Sequence, residues 1–186
     1  MNGERFLTMK ITETPLKGAY IIDLEKREDE RGFFARSFCL EELKSVGIEF
    51  QVKQGNVSRS TKKGTLRGMH YQKPPHGEDK LVRCTKGAVY DVIIDLNEKS
   101  PTYKQWFGIE LSEENYRQLF IPKGFAHGHI TLRDDSELTY FMSEFYAPSV
   151  EGGIHYNDEE FSIQWPMEPT EISEKDMRWP NFTPIQ

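Results

Sequence analysis

"KLVRCTKGAVYDVIIDL", residues 80–96, decides the fold. "KLVRCT" alternates apolar and polar residues, as a half-buried strand does, with Lys80 at or just before its first position. After "KG", "AVYDVIIDL" reads as a second strand, rich in Val, Ile and Tyr. The same grammar extends in both directions. Upstream lie "GAYIIDL", "GFFARSF", "EFQVKQGNVS" and "TLRGMHYQ"; downstream lie "QWFGIELS", "RQLFIP", "FAHGHITL" and "ELTYFMSEFYA". The connectors "KPPHGED", "NEKSPT", "PKG", "RDDS" and "APSVEGG" carry turn residues. Many short strands with such punctuation predict an all-β chain, an antiparallel sandwich or barrel.

Helix signals are sparse. "CLEELKSVGI" puts Leu40, Leu43 and Val46 on one stripe with Gly47 as a stop, which predicts a short helix near residues 40–47. A short helical turn is expected at Ser173–Asp176, in a tail otherwise punctuated by proline. No repeat, low-complexity linker or Gly/Ser hinge interrupts the chain, so residues 1–186 read as a single domain. A second methionine, Met9, marks residues 1–8 as an extension without a structural role.

Composition narrows the function classes. The 186 residues are 37% hydrophobic and 29% charged, a globular balance. A net charge of −6 without a long basic run argues against nucleic acid or an anionic membrane as partner. No apolar run approaches a membrane span, and the start lacks a signal-peptide core. Cys39 and Cys84, far apart and outside any CxxC, read as reduced thiols in a cytoplasmic protein.

The residues that could carry chemistry are individually weak signals. His127 and His129 lie two apart in "GFAHGHI", on one face of a strand, like half a metal site. Arg67 and His70 lie three apart in "LRGMH" and face opposite sides of an ideal strand, unless Gly68 bulges it. Lys80 at a strand start is ordinarily a solvated end, and Tyr140 in "ELTY" is ordinarily core. Asp176 in "SEKD" can serve as a local cap, and Arg31 in "DERGFF" as a turn residue.

Together they make a pattern. "DERGFF", "LRGMHYQ", "KLVRCTKGAVYDVIIDL", "SPTYKQWFGIELSEENYRQLFIPKGFAHG", "YAPSVEGGI", "NDEEFSIQWP" and "ISEKD" occur in order from about Leu16 to about Trp179. In these blocks the chain resembles the dTDP-4-dehydrorhamnose 3,5-epimerase family of nucleotide-sugar enzymes. The resemblance implies an antiparallel jelly-roll barrel of the cupin type and a homodimer with exchanged N-terminal strands. It also implies a nucleoside-diphospho-4-keto-6-deoxyhexose substrate, epimerised at carbon 3, carbon 5 or both, with no cofactor and no metal. By family position His70 is the base, Asp176 its orienting carboxylate, Lys80 the enolate stabiliser and Tyr140 the opposite-face acid. Arg31, Arg36, Gln54, Asn56, Arg67, Lys80, His127, Glu151 and Lys175 fall at substrate-binding positions.

Departures cluster around recognition. Arg36 stands where the family usually has glutamate, Gly55 where it has aspartate, and His129 where it has phenylalanine. Phe145 and Tyr156 replace a common tyrosine and tryptophan. These changes leave open the base, the sugar and the number of inverted centres, so a 3- or 5-monoepimerase on a dTDP-, CDP- or GDP-linked sugar is the alternative. Two further rivals are a keto-isomerase on the same kind of sugar and a non-catalytic binding barrel. The last is a metal-dependent cupin using His127 and His129 with a third ligand such as His70. Such cupins follow the HxH pair with a glutamate on the same strand; here Ile130 to Arg133 come first, and Asp134 and Asp135 read as turn.

Overall fold

The computed structural model describes residues 8–184. Residues 1–7 of the expected extension therefore lie outside the described residues. The first strand, β1 (Met9–Glu13), begins at the second methionine and pairs antiparallel with β2 (Tyr20–Leu24) of the same chain. A small hairpin follows, β3 (Arg27–Asp29) and β4 (Gly32–Phe34), then α1 (Leu40–Ser45). The body follows with β5 (Gln54–Ser60), β6 (Thr65–Gln72), β7 (Lys80–Lys86), β8 (Ala88–Asp95), β9 (Trp106–Ser112), the shorter β10 (Gln118–Ile121) and β11 (Phe125–Thr131). After them come β12 (Ser136–Met142), β13 (Glu151–Gly153), β14 (Glu171–Ile172) and α2 (Glu174–Met177).

Two six-stranded sheets form. One runs β1-β2-β10-β7-β12-β5; the other runs β13-β6-β11-β8-β9, with β14 added beside β6. Every pairing is antiparallel except that of β14 with β6. The sheets face each other as a jelly-roll barrel of the cupin type; the strand grammar predicts an antiparallel sandwich or barrel, and the resemblance predicts the cupin type.

The two decisive strands fall in opposite sheets, and both are covered on two sides. In β8, Val89 and Ile93 point into the space between the sheets, where they meet Val82, Cys84, Leu119 and Leu138. Val92 and Ile94 point outward, against Met69, Ile154 and Phe161. This is why "AVYDVIID" is apolar nearly throughout rather than alternating. In β7, Leu81 likewise faces outward onto a second cluster with Leu43 and Phe120, so the strand is more fully buried than its alternation implies. Each such aliphatic side chain contributes roughly 1.5–3 kcal/mol by leaving water.

α1 supplies only Leu43 to that cluster. Leu40, expected on the same stripe, is 54% exposed, because the helix has just six residues and starts at Leu40. Gly47, with φ +85°, ends it as expected. α2 forms where a helical turn was expected, and Ser173 caps it by accepting from the Asp176 N–H at 3.1 Å. Among the described residues no helix is long and apolar enough to cross a membrane.

One irregularity positions the site. Along β11 and β6, His127 pairs with His70 but His129 pairs with Arg67, so β6 carries one extra residue. The bulge falls at Gly68, whose φ is +118°. A Cβ there would lie 2.6 Å from the Gly128 Cα and 2.8 Å from the His127 carbonyl oxygen. Gly68→Ala is therefore expected to cost about 2–4 kcal/mol, read as a lower urea midpoint. A midpoint within experimental error of the parent would mean the two strands separate easily.

Candidate active site

The bulge places Arg67 and His70, three residues apart, on the same side of β6. Both line a cavity of about 300 Å³ between the sheets, together with His127, Tyr140 and Asp176. It adjoins a larger cavity of about 450 Å³, lined by Gln54, Asn56, Lys80 and Glu151. His70, Lys80 and Tyr140 line both, which makes one continuous cleft.

Alternation explains the walls. Tyr140 is opposite Val82 and Asn56 in the neighbouring strands, and Lys80 is two residues before Val82. Gln54, Asn56, Lys80 and Tyr140 therefore share the inner face of the first sheet. His70, Arg67 and His127 share the inner face of the second. Glu151 arrives on β13 opposite Gln72 of β6, lines the larger cavity with His70, and is held by Lys175 on α2 at 2.6 Å.

His70 Nε2 lies 2.6 Å from Asp176 Oδ1. The Gly68 N–H donates to Asp176 Oδ2 at 3.2 Å, and the Trp179 indole N–H to Oδ1 at 3.3 Å. Burial works against the Asp176 charge, but His70 and these donors outweigh it and hold its pKa below the usual carboxylate value. Glu151 is likewise penalised by burial, yet Lys175 and the Tyr146 hydroxyl hold its pKa low. Burial raises the Tyr140 pKa above that of a free phenol, so Tyr140 is a proton donor at neutral pH. The Lys80 ammonium is nearly enclosed and lies 2.9 Å from the buried Glu78 carboxylate.

His127 Nε2 lies 2.9 and 3.0 Å from the two oxygens of Asp91, which is completely buried. His129 lies one pleat further on the same face, and burial pushes its pKa down to about 3, so it is a neutral imidazole. The metal trio suggested by the sequence changes its third member, from His70 to a carboxylate. Asp176 engages His70, and the carboxylate beside the histidine pair is Asp91. Asp134 and Asp135 fall in the turn between β11 and β12.

The single chain leaves two expected positions outside the cleft. Arg31 is on the exposed β3–β4 hairpin, paired with Asp29 at 2.5 Å. Arg36 is paired with Glu42 at 2.8 Å, beside α1. Neither lines the two cavities. Sequence reasoning missed Glu78, Asp91 and Trp179. Asp91 had a signal, a carboxylate in the middle of an apolar strand. Glu78 lies in a charged loop and Trp179 in a tail, with nothing to mark them.

The family model described as dTDP-4-dehydrorhamnose 3,5-epimerase matches residues 13–184. Proteins of that name from Shigella flexneri and Salmonella typhimurium are 42% and 43% identical, covering 94% and 92% of this chain and 96% and 94% of theirs. The Bacillus anthracis enzyme, solved with TDP and pyrophosphate bound, superposes with a TM-score of 0.90 at 41% identity, over 94% of this chain and 100% of its own. The Legionella pneumophila enzyme, solved with dTDP-4-keto-L-rhamnose, gives 0.87 at 41% identity, over 94% and 93%. A dTDP-4-dehydrorhamnose 3-epimerase from Streptomyces niveus is 34% identical over 90% of this chain and 81% of its own. With a match that spans nearly every described strand, the chain belongs to the dTDP-4-dehydrorhamnose 3,5-epimerase family, and it is an isomerase of the epimerase class.

Proposed function

We propose that this chain epimerises a thymidine-diphospho-4-keto-6-deoxyhexose at carbons 3 and 5 without a cofactor. One observation carries the reading: His70 and Tyr140 stand on opposite sheets and face the same cleft. Inversion at a carbon next to a ketone needs a base on one face and an acid on the other. It also needs stabilisation of the enolate that forms between the two steps.

His70 takes the proton from carbon, a general-base role that histidine fills more often than any other side chain. Asp176 holds the ring and stabilises the imidazolium that results. Electrons from the broken C–H bond move into the C4 ketone. The Lys80 ammonium, held by Glu78, meets the developing oxyanion, a contribution of ~3–4 kcal/mol on the scale of oxyanion-hole donors. Tyr140 then protonates the carbon from the opposite face, and solvent resets both groups. The same cycle at the second carbon completes a double epimerisation. Arg67, His127, Gln54, Asn56, Glu151 and Lys175 supply recognition of sugar and nucleotide.

The 3,5-epimerase relatives at 42% and 43% identity favour two inverted centres over one. The similar 3-epimerase makes a single inversion at carbon 3 the second reading. Turnover in deuterated water distinguishes them: label is expected at both carbons, and label at carbon 3 alone would replace the first reading by the second. Tyr140→Phe is expected to lose net inversion far more than proton exchange, since removal on the His70 face survives. Equal loss of both would count against Tyr140 as the acid.

The whole chain is read as one epimerase domain, supported by a single family match over residues 13–184. It is read as a homodimer. β1 and β5 are the edges of the first sheet, and Val57 on β5 is 67% exposed. Phe33 and Phe34 on the hairpin are exposed too. Exchange of this N-terminal region would carry Arg31 toward a partner's cleft and add the positive charge a diphosphate needs. Sedimentation equilibrium is expected to give twice the chain mass; a monomer at assay concentrations would sink this reading. The unpaired Cys39 and Cys84 support a cytoplasmic location.

A further inference from the structure

We infer that Asp91, His127 and His129 form a site for a divalent transition-metal ion in the wall of the cleft, and that a bound ion inhibits the epimerase. The inhibitory half rests on the function proposed above; the site itself does not.

Strand register brings the three side chains together. Asp91 on β8 is directly opposite His129 on β11, and His127 is two residues along on the same face. One donor atom from each residue lies within 4.8 Å of the others. A zinc ion bound at ~2.0–2.2 Å would draw them to about 3.5 Å apart, so the widest pair closes by at most about 1.3 Å. Rotation of the His129 ring can supply that movement. Among the described residues no group hydrogen-bonds this ring. Among the described residues the only side chain bonded to the Asp91 carboxylate is His127.

Donor chemistry chooses the ion. Two imidazoles and one carboxylate suit zinc, cobalt, nickel or copper rather than magnesium or calcium, which want oxygen. Both histidines also line the cavity of about 300 Å³, so a fourth coordination position faces open space. Arg67 and Lys80 oppose a cation there. Lys80 is neutralised by Glu78, and Arg67 donates to Ser60 at 3.1 Å. Their charge lowers the affinity but leaves the donor set intact.

Coordination through His127 Nε2 requires that nitrogen to be bare, so its proton moves to Nδ1 or to solvent. The Asp91 contact is then replaced by the ion. A cation at this point takes His127 away from the sugar and occupies space beside His70. The enolate chemistry has its own electron sink in the ketone, so the ion adds obstruction rather than help.

Calorimetric titration of the chelator-treated full chain with zinc is expected to give one equivalent per chain. Cobalt is expected to give the visible bands of a nitrogen-rich, low-coordinate site. Removing a group that merely hydrogen-bonds a ligand costs about 10–100-fold in metal affinity, so His129→Phe, which removes a direct ligand, is expected to cost at least about 100-fold. His129→Gln repeats the test should the phenylalanine perturb folding. His70→Gln and His76→Gln, the latter at an exposed histidine, should retain the site. No zinc binding to the parent chain overturns the proposal. So does binding that His129→Phe leaves unchanged, or that depends on His70 instead. Zinc should also slow turnover of the parent, reversibly by chelator, and His129→Phe should resist it. Zinc that binds as described without slowing turnover removes the inhibitory half. Absence of turnover on any 4-keto sugar nucleotide would instead refute the reaction and leave the binding result standing.

Discussion

His70→Ala is expected to lower epimerisation by about 10²–10⁴-fold, the range that general-base catalysis supplies. The loss should appear equally as loss of deuterium incorporation at both carbons, because one base serves both. The fold should survive. The His70 side chain is 32% exposed, and the buried Asp176 carboxylate keeps two of its donors, the Gly68 N–H and the Trp179 indole N–H. Losing the third is expected to cost about 1–3 kcal/mol of stability. Measuring the urea midpoint beside the rate separates the two effects. Parent-like exchange at either carbon in a folded His70→Ala protein would remove this residue as the base.

Asp176→Asn is the second large effect, and it attacks the same contact from the other end. Three donors converge on this carboxylate, from His70, Gly68 and Trp179. An amide of the same shape must turn its NH₂ group toward at least one of them. Facing the ring, it selects the opposite imidazole tautomer; facing Gly68, it leaves two donors head to head. The comparable exchange in a serine-protease triad costs about 10⁴-fold, so about 10³–10⁴-fold is expected here.

The pH dependence of stability has a definite sign. The folded pKa of Asp176 is lowered below its unfolded value of 3.8. Its stabilising contribution is thus complete well above that value and disappears as pH falls through the folded pKa. The stability gap between parent and Asp176→Asn should be widest near neutrality and close on acidification below about pH 4. A gap that stays constant to pH 3 would show that the ionised form is not what stabilises the fold.

Much of the barrel was legible because period-two patterns and turn residues are local signals. "GAYIIDL", "TLRGMHYQ" and "FAHGHITL" each became a strand within a residue or two of the expected place. The two-sided burial of "KLVRCT" was not legible, since the layer covering Leu81 comes from residues around Leu43. The site was legible mainly through family position. Spacing alone set Arg67 and His70 on opposite faces, and only an added residue in β6 reverses that. Gly68 hinted at a bulge, but its necessity depends on the close approach of Gly128, a tertiary fact. The partners of His127 and Lys80 stayed hidden for the same reason. Asp91 and Glu78 gain meaning only from the strand beside them or the lysine they face.

The His70–Asp176 contact joins positions 106 residues apart. Asp176 belongs to no strand; it is held by a four-residue helix and by Trp179, whose ring lies against Gly153. Were this segment to lift away, the barrel would keep every pairing among its long strands. Catalytic rate then becomes a gauge of how firmly the tail is latched, and it will fail before spectroscopic measures of strand content do. Among chains that fold equally well, turnover ranks them by the lifetime of that latch.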